Sequence, residues 1–165
     1  MAARHLPSSN LFVVRPADDK KSAVASRLES VGAVEKLTGG EDLLLLQTER
    51  ASSDPEAAWQ DIRNALEGTG SSVQPVLLDE TGESHYPTGE VTVRFYETPT
   101  DEEIEKFAAE HNLRLRNRNR YMSQQVVFDV PAAGKCYLPR LVEEIARLDK
   151  VKNAWANTLS YYKRI

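Results

Sequence analysis

The chain has 165 residues, 41% of them hydrophobic and 28% charged, with a formal net charge of −4. That composition suits one ordinary or two small folded domains and excludes a low-complexity or strongly biased chain. The longest apolar runs, such as Leu43–Leu46, fall far short of the roughly 18 residues a membrane span needs. The opening Met1-Ala2-Ala3-Arg4-His5 leads into no signal-like apolar stretch, so no membrane is expected as a partner. A single cysteine, Cys136, excludes an internal disulfide and a cysteine-based zinc site, and suits a reducing cytoplasm.

Residues 1–10 read as a flexible N-terminus. Leu11-Phe12-Val13-Val14-Arg15 is a strand closed by Pro16. Asp18 caps a helix with apolar positions Val24, Leu28 and Val31, which Gly32 ends. Val34–Leu37 and Leu43–Gln47 follow as strands around the hairpin loop Thr38-Gly39-Gly40-Glu41-Asp42. Asp54-Pro55 opens a second helix, with Asp as N-cap and Pro at the first helical position. Trp59, Ile62 and Leu66 mark its buried face, Gly68 and Gly70 stop it, and Val73–Leu78 closes the set. Residues 11–80 thus spell βαββαβ.

The stretch Asp79–Gly89 is rich in turn formers, and residues 81–89 read as a linker. The charge also changes there: residues 1–89 carry 8 Lys and Arg against 14 Asp and Glu, whereas residues 90–165 carry 13 against 11. The order of elements then recurs over 90–158. Val91-Thr92-Val93-Arg94-Phe95 alternates as a strand, and Thr100-Asp101-Glu102-Glu103 is a capping box. Ile104, Phe107 and Ala108 give the helix an inner face, and Asn112 is its left-handed C-cap. Leu113–Tyr121 and Gln125–Val130 form a hairpin, Pro139 starts a helix carrying Leu141, Val142, Ile145 and Leu148, and Val151–Asn157 closes the sheet. A shift of 80 residues sets Val13 on Val93, Val24 on Ile104, Gly32 on Asn112 and Ile62 on Val142. The fold expected is α+β: two tandem ferredoxin-like βαββαβ units with antiparallel sheets.

Catalytic signals are weak. His5, His85 and His111 sit at no ligand spacing from another His, a Cys or paired carboxylates, and read as solvated surface groups. Cys136 follows Gly134-Lys135 in a turn and reads as a half-buried thiol. No phosphate loop, G-x-S-x-G or dinucleotide fingerprint occurs, and Gly39-Gly40 fits a hairpin turn. No enzyme activity, cofactor or metal is expected. Arg114, Arg116, Arg118 and Arg120 alternate, so in a regular strand all four share one face beside Tyr121, a basic interaction strand that could bind phosphates. The acidic first half and the lack of an aromatic pair on the first strands weigh against nucleic acid. The same stripe serves against an acidic protein surface, or merely solvates an edge.

Gly89-Glu90-Val91-Thr92-Val93-Arg94-Phe95, then Pro99-Thr100-Asp101-Glu102-Glu103-Ile104, then the closing Val151-x-x-Ala154-x-x-Asn157, together resemble the propeptides of subtilisin-type serine proteases. The family's closing motif reads Val-x-x-Ala-Glu-Pro-Asn-Tyr; here Trp155 and Ala156 replace the Glu-Pro pair. The likeness covers residues 90–165, and the first half shares only the repeated pattern. It implies a ferredoxin-like domain whose sheet, near Ala154, Trp155 and Asn157, packs on the protease. It also implies an extended tail, residues 159–165, lying in the substrate groove like a bound product. Tyr161 would lead into that segment, and Tyr162, Lys163, Arg164 and Ile165 would fill the non-primed subsites, with Ile165 nearest the catalytic serine. No protease motifs follow; for a chain that is a complete gene product the resemblance implies a stand-alone inhibitor or folding chaperone acting in trans on a separately encoded subtilisin-like protease, as a monomer or a 1:1 heterodimer. For a piece of a longer protease precursor it implies the same mechanism in cis. The alternative reading is a nucleic-acid-binding module using the arginine strand.

Overall fold

The computed structural model describes residues 6–16, 21–38, 43–48, 53–131, 136–159 and 163–164, which form nine strands and four helices. The chain is α+β with antiparallel ladders, and it divides into two units: Met1–Pro87 with Thr158–Ile165, and Thr88–Asn157.

The first unit runs β1 (Leu6–Arg15), α1 (Lys21–Glu29), β2 (Gly32–Thr38), β3 (Leu43–Thr48), α2 (Pro55–Ala65) and β4 (Ser72–Leu78). β5 (Ser84–Phe95) begins in this unit and continues into the second, which adds α3 (Asp101–Glu110), β6 (Arg114–Arg118), β7 (Gln125–Asp129), α4 (Leu138–Ala146) and β8 (Val151–Leu159). A two-residue β9 (Lys163–Arg164) returns to the first unit. Strand order is β4-β1-β3-β2-β9 in the first unit, with the start of β5 against β4, and β8-β5-β7-β6 in the second.

Within the first unit, Phe12–Val14 and Leu43–Leu46 are all at most 3% exposed, so β1 and β3 are buried on both faces. That is why these strands read as unbroken apolar runs. Val13, Leu43 and Leu45 cluster with Leu37, Val76 and Tyr86, and the alternate residues point the other way. α2 starts as expected: Asp54 accepts from the Ala57 N–H at 3.2 Å, with Pro55 at the first turn. The Trp59 indole, buried, donates to the Val73 carbonyl at 2.7 Å and ties α2 to β4. In the second unit Val91, Val93 and Phe95 of β5 and Val126 and Phe128 of β7 pack against Ile104 and Phe107 of α3 and Leu138 and Ile145 of α4. The Thr100–Glu103 capping box is present, and Asn112 takes the left-handed conformation (φ 54°).

Several expectations are corrected. β1 starts at Leu6: Leu6 pairs with Leu78 and Pro7 with Leu77, and buried Ser8 accepts from the Leu11 N–H at 3.0 Å. Pairing with β4, through a bulge, orders polar residues whose local pattern suggested a loose terminus. Gly32 opens β2 opposite Thr48 rather than ending α1; a Cβ there would lie 2.2 Å from the Gln47 carbonyl oxygen, so only glycine fits. The stretch 81–89 is mostly strand. Asp79 to Glu83 make a tight turn, with Gly82 at φ 83°, and β5 begins at Ser84 and buries Tyr86 to 5% exposure. Asp18, His5 and the loop residues 39–42 lie outside the described residues.

Candidate functional site

The second unit's sheet has one face under its helices and a second, polar face. Strand alternation turns Val91, Val93 and Phe95 into the core, so Glu90, Thr92 and Arg94 take the other side. Asn157 of β8 is the hub there. Its Oδ1 accepts from the Thr92 hydroxyl at 2.6 Å, and its Nδ2 donates to Glu90 Oε1 at 3.2 Å. The Thr88 hydroxyl donates to the Asn157 carbonyl at 3.3 Å. Glu90 Oε2 takes the Arg116 Nε at 2.6 Å; Arg116 also reaches Asp129 at 3.4 Å, and Arg114 approaches the same carboxylate at 3.6 Å. Two guanidiniums and two carboxylates cancel in charge. With both arginines more than half exposed these pairs contribute little stability, and Arg94 on the same face adds a further positive charge.

Of the residues expected to face a protease, Asn157 lies on this surface, and Trp155, half-buried, shares its strand parity. Ala154 does not: it packs against the core cluster. The expected single-faced arginine stripe is also corrected. β6 ends at Arg118, and a bulge falls between Leu115, opposite Phe128, and Asn117, opposite Val127. The extra residue reverses the alternation beyond it. Arg114 and Arg116 therefore meet Asp129 and Glu90, while Arg118 pairs with Asp101 at 2.6 Å and the Pro99 carbonyl at 3.0 Å, at the start of α3. Arg120 lies beyond the strand, exposed, and Tyr121 is 94% exposed in a turn whose Tyr121 and Met122 N–H groups donate to Asn119 Oδ1.

In the tail, Tyr161, Tyr162 and Ile165 lie outside the described residues. Lys163 and Arg164 are not a free extension: they pair antiparallel with Thr38 and Leu37 of β2. An edge strand's unpaired backbone groups are a template for such an added strand. Cys136 is half-buried against the core without a disulfide, and the His111 ring packs 4.5 Å from that of Phe107.

Sequence reasoning missed Glu90, Thr92 and Asp129 as the partners of Asn157 and the arginines; the only local signal is the polar half of Glu90-Val91-Thr92-Val93. It also missed that a hairpin brings His85 to Asp79, whose Oδ2 lies 2.9 Å from His85 Nε2. That hydrogen bond, followed by the one from the Thr81 hydroxyl, holds the Asp79 carboxyl well below the usual carboxylate range. Comparison with protein-family models, with curated proteins and with solved structures finds no match to the chain. No helix among the described residues is long and apolar enough to cross a membrane.

Proposed function

We propose that the chain is a propeptide-like inhibitor of a separately encoded subtilisin-type serine protease, built from two ferredoxin-like units, with its C-terminal segment acting as the product mimic. The observation that carries this reading is the backbone of that segment. Lys163 and Arg164 lie extended and pair antiparallel with the edge of this chain's own β2, so in this reading they leave that edge and make the same kind of ladder in the protease groove. The strand orders β4-β1-β3-β2 and β8-β5-β7-β6, each over a β-α-β-β-α-β run, support the ferredoxin-like reading of both units. The polar face around Asn157, with Trp155 on the same strand parity, supplies a surface for docking, and a chaperone role would use the same face.

The nucleic-acid alternative has less to stand on. The β6 bulge divides the arginines, and Arg114, Arg116 and Arg118 already face carboxylates. Deleting Tyr161–Ile165 tests the proposal: inhibition of the protease should weaken by at least about tenfold, the loss expected when a laddered anchor is removed, while the circular dichroism of the fold is unchanged. Undiminished inhibition would refute the product-mimic arrangement.

A further inference from the structure

We propose that the β4–β5 hairpin carries a site for a borderline divalent cation of the zinc class, with Asp79, Glu83 and His85 as its protein ligands. The hairpin's geometry makes the cluster. Leu77 pairs with His85 and Leu78 with Ser84, while the Asp79 N–H donates to the Glu83 carbonyl at 3.1 Å and the Gly82 N–H to the Asp79 carbonyl at 3.0 Å. Three residues that are four and six positions apart in sequence thereby project their side chains to one place. One donor atom from each lies within 4.8 Å of the other two.

The division of labour at Asp79 favours a ligand role. Its Oδ1 accepts from the Thr81 N–H at 2.9 Å, the Thr81 hydroxyl at 2.6 Å and the Glu83 N–H at 3.0 Å, which fixes the carboxylate's orientation. Oδ2 is left aimed at His85 Nε2, and the two side chains are only 18% and 17% exposed. The Glu83 carboxylate makes no hydrogen bond or ion pair among the described residues and is exposed, so it is a free arm on the rim. Two carboxylates against one imidazole leave at least one negative charge uncompensated, whatever the imidazole's state, and a divalent ion would offset it.

Zinc binds nitrogen and oxygen donors at roughly 2.0–2.2 Å, which sets the donors of a tetrahedral site roughly 3.3–3.5 Å apart. Reaching that spacing needs a small widening of the Asp79–His85 contact and an inward swing of Glu83. The ion takes the place of the hydrogen between Nε2 and Asp79: an imidazolium releases that proton to solvent, a neutral ring carries it on Nδ1 instead, and the fourth position goes to water. The imidazole donor selects zinc, cobalt or nickel over magnesium and calcium, which prefer oxygen throughout.

The test is titration of the intact chain with zinc by calorimetry, and with cobalt by visible absorption. One saturable equivalent is expected, with intense cobalt bands of low coordination number. Glu83→Gln, which disturbs no hydrogen bond of the hairpin, should weaken zinc binding by at least about tenfold, and His85→Gln should abolish the bands. Absence of saturable binding, or equal affinity in the parent and both variants, would overturn the proposal and leave the Asp79–His85 contact as a hairpin staple only.

Discussion

Replacing Asn157 with alanine is the most informative single perturbation of the second unit. The side chain holds two hydrogen bonds, from the Thr92 hydroxyl at 2.6 Å and to Glu90 at 3.2 Å. Glu90 keeps Arg116, so its loss is small. Thr92 is only 3% exposed, and its hydroxyl would be stranded. A buried polar group left unsatisfied costs about 1–3 kcal/mol. At a urea m-value of about 2 kcal/mol/M, the unfolding midpoint should fall by roughly 1 M with m unchanged. The second arm is Thr92→Val on the Asn157→Ala background. Removing the stranded hydroxyl should recover part of the loss, since replacing both partners by apolar groups of similar shape is close to neutral. A cost below about 0.5 kcal/mol, or no recovery in the double variant, would refute the hub assignment.

Gly32→Ala should destabilise the first unit by about 1–3 kcal/mol, as overpacking does, because the added Cβ meets the Gln47 carbonyl; a neutral result in chemical denaturation would deny the β2–β3 register. Glu103 is held below its ordinary value by the Thr100 N–H and then by the Thr100 hydroxyl, so its ionised form is favoured in the folded state. Its contribution is therefore present at neutral pH, begins to be lost as the pH falls below the ordinary glutamate pKa of about 4.3, and is gone once the pH passes the depressed value. Acid unfolding profiles of the parent and Glu103→Gln should converge at low pH and separate above it, and parallel profiles would contradict the capping-box assignment.

Both element orders were legible in the sequence because helix caps and alternation are local signals. Asp54-Pro55 and Thr100–Glu103 announce helix starts through side-chain oxygens that reach backbone N–H groups three residues on. What stayed hidden depends on pairing between distant residues. Ser8 and Tyr86 resemble loop residues until β4 supplies the ladder that orders both segments. The arginine stripe follows from alternation, and one extra residue near Arg116 reverses it; nothing in Leu115-Arg116-Asn117 marks a bulge before β7 is placed. The tail's polar and aromatic residues likewise give no hint that Lys163 and Arg164 would find the β2 edge. The polar face around Asn157 and the Asp79–Glu83–His85 cluster share this origin, since each needs a strand register to bring its members together.

Protease inhibition is tested by titrating a subtilisin-type protease with the intact chain while cleavage of a short peptide substrate is followed. Inhibition should be 1:1 and competitive with the substrate, because the tail and the substrate would share one groove. Full protease activity in the presence of a large molar excess of the chain, or inhibition indifferent to substrate concentration, would contradict the proposal.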